Sequence, residues 1–245
     1  MEEKKAQLVS HIDTTLVTLA QLQVLPTPES TRYWRPIRHA SLVETLKSEL
    51  ADMGFVVSRE QFALGGNGAK LFGALDLANE LVPGVAAALG FRHSNDKRIA
   101  IQVVAGGRVF VCDNMALSGD VTVLRQKHTW SYSLRDIIRR GLNAWQNKQS
   151  TFVNSIERMQ NTPLSTLEAQ ALLAKCLYDG VTTFQTFKIA YDLYFDRAVD
   201  APHEYPDCAP RTAWGLHNAY TRALKLATPN AAFSTTVALG KVFGA

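Results

Sequence analysis

Between Phe55 and Arg125 the chain reads as strands that follow one another without helices, and after Trp130 apolar residues recur at helical spacing. Strands that follow one another without helices between them favour an antiparallel sheet. Phe55 to Leu64 and Lys70 to Leu77 read as two strands joined by Gly65-Gly66-Asn67-Gly68. Ile99, Ile101 and Val103 alternate, and Val109 and Val111 do so again after Gly106-Gly107. This predicts a β-hairpin around a Gly-Gly turn. Val121 to Arg125 reads as a further short strand. The expected class is α+β, with a hairpin-rich antiparallel β-sheet in the N-terminal half packed with long α-helices of the C-terminal half.

The helical signals flank that sheet. Leu8, Ile12, Leu16, Leu19 and Leu22 predict a helix over Lys5 to Leu25, ended by Pro26 and Pro28. Ser41 to Met53 is amphipathic, with Ser41 and Glu44 in capping-box spacing and Gly54 placed to end it. Ser133 to Gln160 carries Leu134, Ile138, Leu142, Trp145, Phe152, Ile156 and Met159, a long helix with Gln149 as the place where it would break. Further helices are expected over Ser165 to Tyr178, Thr182 to Arg197 and Arg211 to Leu226, with a short one near the chain's end. The organisation implied is a helix and linker over residues 1–30 and one α+β domain over 31–245, sheet-rich over 55–130 and helical over 131–245.

A chain of 245 residues, 47% hydrophobic, can bury a full core. It lacks an uninterrupted apolar run of about 18 residues, so no membrane span is expected. The start, MEEKKAQLVS, has no apolar signal core. Cys112, Cys176 and Cys208 are sparse and odd in number, which reads as reduced thiols in a cytoplasmic protein. None has zinc-finger spacing, and neither a metal nor a cofactor is expected.

Charge is unevenly placed. Arg92, Lys97, Arg98, Arg108, Arg125, Lys127, Arg135, Arg139, Arg140 and Lys148 face only Asp96, Asp113, Asp120 and Asp136, a formal +6 in a chain of net +4. Clustered charge of one sign attracts anions, nucleic acid included, although a charge run is often only a solvated face.

The stretch Arg92-His93-Ser94-Asn95-Asp96-Lys97-Arg98 offers guanidinium, ammonium, hydroxyl and amide donors within seven positions. Such a set suits phosphate. The bland alternative is a polar hairpin loop in which Asp96 pairs with a neighbour. Arg108, Arg125, Lys127 and His128 extend the same surface. Tyr33 and Trp34 stand among Arg32, Arg35 and Arg38. Single-stranded nucleic acid uses that interleaving, because bases stack on rings while cations hold phosphates. Packing is the expected role of Trp34 itself. Cys112 reads as a small core residue, with a thiol nucleophile paired to His128 or His93 as the alternative. Asp113 and Asn114 read as turn residues, with Mg²⁺ binding by Asp96 or Asp113 as the alternative.

Several of these stretches resemble a family of phage and plasmid proteins, domain of unknown function 932. They are Trp34-Arg35-Pro36 with His39; Lys70-Leu71-Phe72-Gly73; Gly90-Phe91-Arg92 with Ser94, Asp96 and Lys97; Gly107 with Val109 to Asn114; Lys127-His128-Thr129; and Trp214 with Asn218, Ala219 and Thr221. The usual Arg-Asn-Ser of that family stands here as Arg92-His93-Ser94. The resemblance implies an accessory function of mobile DNA and carries no catalytic residues with it. The order of helix, antiparallel strands and long helix is also similar to the core of ring-forming single-strand annealing proteins, a likeness of fold alone.

The expected function is therefore sequence-independent binding or annealing of single-stranded DNA, with Arg92, Ser94, Lys97, Arg98, Arg108, Arg125, Lys127, His128, Arg32 and Arg35 as contacts. A homo-oligomer is a further expectation. The alternatives are a protein-binding inhibitor of a host defence or restriction system, which implies a host protein partner, and a metal-dependent nuclease.

Overall fold

The computed structural model describes residues 14–109, 114–129, 132–227 and 229–243. Six strands form one antiparallel sheet in chain order: β1 (Thr14–Val17), β2 (Val57–Gly65), β3 (Lys70–Val82), β4 (Val85–Ser94), β5 (Ile101–Val109) and β6 (Asn114–Gln126). Among the described residues two helices precede β2, α1 (Leu19–Gln23) and α2 (His39–Asp52). After the sheet come α3 (Leu134–Asn161) and α4 (Thr166–Tyr178). Next, α5 (Phe184–Asp192) runs through a π turn (Leu193–Arg197) into the short α6 (Ala198–Asp200). The last two are α7 (Ala213–Ala223) and α8 (Pro229–Phe243). The α+β class holds, with the sheet first and most helices after it.

Pairing register fixes which residues share a face. Leu71, Gly73 and Leu75 of β3 stand opposite His93, Phe91 and Leu89 of β4. Phe91, Leu89 and Ala87 in turn stand opposite Val103, Ala105 and Gly107 of β5. This face is buried against α3: a Cβ added at Gly107 would meet Val85, Ile156 and Phe152. Gly73 leaves room for the Phe91 ring, which a Cβ there would strike at 2.2 Å. α2 packs on α3 through Glu49, which has no exposed surface and binds the guanidinium groups of both Arg135 and Arg139. Asp52 also pairs with Arg135 at 2.9 Å. Two of the basic residues counted above are thus engaged by acids of α2.

Several expectations are corrected. Gly106-Gly107 is no turn: both lie inside β5 and pair with Ala88 and Ala87. A Cβ at Gly107 would strike Val85 of the adjacent strand β4 at 2.6 Å, so that position has no room for a side chain. Thr14–Val17, expected as helix, is a strand paired to Phe62–Gly65; among the described residues helix begins at Leu19, where Thr18 and Gln21 form a capping box, and the part of that expected helix over residues 5–13 lies outside the described residues. α2 starts at His39, with no side-chain cap, so Ser41 lies inside the helix. α3 continues through Gln149 without a break. β4, unmarked in sequence, is a run of Ala, Leu and Gly buried on both faces, where alternation gives no signal. The Ser165–Glu168 capping box and Gly54 at φ 81° stand as expected.

Gly141 of α3 faces the carbonyl oxygen of Val123, and a Cβ there would sit 2.3 Å from it. Alanine favours a helix over glycine by about 1 kcal/mol, but overpacking against backbone costs about 1–3 kcal/mol. Gly141→Ala is therefore expected to lower stability in a urea melt, and an unchanged or raised midpoint would refute the close contact.

Candidate nucleic-acid interface

Residues 29–38 form a strap that crosses one end of the sheet and leads into α2. Two segments far apart in sequence hold it, the turn after β4 and the stretch after β6. The Arg35 N–H donates to the His128 carbonyl at 3.2 Å. Asn95, itself buried, accepts from the Ile37 N–H at 3.3 Å and donates to the Ile37 carbonyl at 3.0 Å. The Lys97 ammonium sits 4.9 Å from the Trp34 ring centroid, a cation–π distance. Trp34 is half-buried, in keeping with its expected packing role. Tyr33 is 75% exposed, with the Arg32 guanidinium 5.1 Å from its ring.

Arg92, His93 and Ser94, expected in a loop, instead end β4, and the turn is residues 95–100. The Asp96 carboxylate shapes that turn. It accepts from the Ser94 hydroxyl and from the Arg98 N–H, and the Arg98 guanidinium lies 3.8 Å away. The Ser94 hydroxyl also accepts from the Ile99 N–H at 2.8 Å, so it locks the turn. Burial pushes the Asp96 carboxyl up, but Ser94, Arg98 and then Lys70 hold it below the ordinary value. Lys97 adopts a left-handed φ of 66° and points its ammonium at the strap.

The structure therefore separates the expected contacts into groups. Arg32, Arg35, Lys97, Arg98 and Lys127 are exposed around the strap. Lys70, which sequence reasoning passed over, acts on Asp96 from the same end of β3. Arg92 lies on the sheet face opposite the α3 side. Register sets Phe72, Arg92, Gln102 and Arg125 in one row across β3 to β6. Its guanidinium donates twice to Gln102 Oε1, at 3.1 and 2.9 Å. Burial, then the charge of Arg125, holds its pKa below the usual guanidinium value. Arg125 is exposed. Arg108 belongs to β5 by its backbone, but its side chain, like Cys112, Asp113 and the Asp120 side chain, lies outside the described residues.

His128 is buried under the strap. Its ring stacks on that of His93, with centroids 5.4 Å apart, and His93 Nε2 lies 2.8 Å from His39 Nδ1. His39 Nε2 is 2.9 Å from the Gly68 carbonyl oxygen. Burial lowers the pKa of all three. For His128 the backbone of Arg35 and Ile99 partly offsets that effect, although neither ring nitrogen reaches hydrogen-bond geometry. Among the described residues, no three His, Cys, Asp or Glu side chains converge as a metal ion requires. Nor is any described helix long and apolar enough to cross a membrane.

Against this geometry, the family model of domain of unknown function 932 matches residues 29–230. The chain belongs to that family. No curated protein and no solved structure matches it. The DUF932 match begins where the strap begins, so the strap, the turn at Asp96 and the His128 segment are all within the family's domain.

Asn95→Ala removes both bonds to Ile37 and leaves a peptide without its partners. A cost of about 1–3 kcal/mol is expected. It should come with faster amide hydrogen exchange at Ile37, and unchanged exchange there would deny Asn95 its role as the strap's clamp.

Proposed function

We propose that this DUF932 chain is an accessory protein of a mobile genetic element that binds single-stranded nucleic acid across the strap, with DNA as the expected strand. One observation carries the reading: the seated strap gathers Arg32, Tyr33 and Arg35 beside Lys97, Arg98 and Lys127, although these lie up to 95 positions apart in the chain. Exposed cations can follow a phosphate backbone, and an exposed ring offers a base its face. No described element is presented as a major-groove reading helix, so recognition would rest on backbone and stacking rather than base edges. The mobile-element origin rests on the sequence resemblance alone.

The roles divide by exposure. Lys97, Arg98 and Lys127 hold phosphates, Tyr33 stacks a base, and Arg32 and Arg35 flank it. Arg92, bonded to Gln102, supports the sheet face on which Arg125 is exposed.

Fluorescence anisotropy with a labelled oligonucleotide across a salt series tests this. Lys97→Glu with Lys127→Glu should weaken binding and flatten the salt slope by roughly 0.7 for each phosphate no longer neutralised. Tyr33→Ala should cost about 1–3 kcal/mol of binding with little change in stability, because the ring is mostly outside the core. Equal affinity of all three proteins, or none at low salt, would remove the strap from the account.

A second reading, a protein-binding module, draws on a different surface. Leu167, Tyr178 and Phe184 are exposed on α4 and α5 at 75%, 93% and 66%. A host protein retained through nuclease treatment, and released by Tyr178→Ala with Phe184→Ala, would favour it.

A further inference from the structure

The three buried imidazoles lie where the strap's anchors meet. His39 opens α2 directly after the strap, His93 stands two residues before the clamp Asn95, and His128 supplies the carbonyl that holds Arg35. Their tautomers follow from the partners. A carbonyl only accepts, so His39 Nε2 carries hydrogen toward Gly68. Neutral His39 then has a bare Nδ1, and His93 Nε2 must donate to it. His93 Nδ1 is left as a lone pair, with no exposed surface at its residue and no hydrogen-bond partner. The relay is complete only while the rings are neutral. A proton added at His93 Nδ1 finds no acceptor, and one added at His39 Nδ1 destroys the acceptor that His93 needs.

We infer that His39, His93 and His128 form an acid-sensitive latch, which seats the strap while all three are neutral and loosens it when the cluster takes up a proton. Deprotonated imidazoles pack ring to ring here at 4.7 and 5.4 Å, a spacing at which two cations would repel. The titratable groups acting on His93 are His39 and His128, and His39 acts on His128. Among the described residues, no carboxylate acts on any of the three to stabilise an imidazolium. Asp96, the acid nearest His93 in sequence, is engaged by Ser94 and Arg98. The cations of the surrounding elements, Arg35, Lys70, Lys97 and Lys127, could only disfavour a further positive charge.

The sign is fixed by the direction of the shifts. Each ring is held below its ordinary 6.5, so the unfolded chain binds protons more readily than the folded one. The latch contributes in full above about pH 6.5 and is lost as pH falls below it through the lowered values. Its consequence for ligand binding rests on the strap reading above, since Arg32, Tyr33 and Arg35 would lose their fixed position. The latch itself can be tested without any nucleic acid.

Imidazole and amide nitrogen NMR on the full chain between pH 7.5 and 4.5 reads both ends of it. Expected are Nε2–H tautomers at His39 and His93, titration of the cluster below 6.5, and a loss of exchange protection at the Arg35 and Ile37 amides with the same midpoint. His93→Gln keeps a donor toward His39 but cannot titrate there, and should shift or abolish that midpoint. Should this variant not fold, His128→Gln and the wild-type titration carry the same test. Strap amides that ignore the histidine titration, or cluster histidines that titrate at or above 6.5, would overturn the latch. Loss of oligonucleotide binding by a seated strap would instead count against the nucleic-acid reading alone.

Discussion

The contact between α3 and the sheet sets the position of everything that the strap relies on. At Gly141 the helix lies against the backbone of Val123, with no side chain as a spacer. One strand away, Phe152 and Ile156 fill the space above Gly107. This close approach fixes the end of β6, and β6 leads within two residues to His128. The strap is then a derived feature, held by groups whose places the α3–sheet layer determines.

α2 completes that frame from the other side. Its first residue, His39, enters the histidine relay, and Glu49 near its end is buried between Arg135 and Arg139 of α3. The arginines are about half exposed while the carboxylate is not, so the acid bears the larger desolvation cost and depends on both partners. This also redistributes the charge read from sequence. Part of the +6 excess is matched by α2 acids, while Lys97, Arg98 and Lys127 stand exposed at the strap end of the sheet.

Much of the fold was legible because periodicity reports burial on one face. Ile101 and Val103 alternate and do face the core, and Leu134 to Met159 does form one helix. Where burial is two-sided, as along Val85–Leu89, alternation vanishes and β4 leaves no mark in the pattern. Gly106-Gly107 misleads because glycine marks both turns and close packing, and sequence does not separate the two. The site was legible only in parts. Lys97, Lys127 and the Arg32–Arg35 cluster could be named from residue type, but their assembly depends on the Asn95 clamp and the His128 carbonyl. The ring contact between His39 and His93 spans 54 positions, and nothing local in either segment announces it.

The sheet's order repeats the order of the chain, each strand pairing only with the one before and the one after. From β2 to β6 such pairings close short loops and involve little entropy of chain closure. Strands can therefore add one at a time as the polypeptide emerges during synthesis. The strap is different in kind: it is made early, but its anchors at residues 95 and 128 arrive later. Until β6 has been laid down, the aromatic and basic residues of the strap have no fixed place, so the proposed interface matures last although much of it is synthesised first.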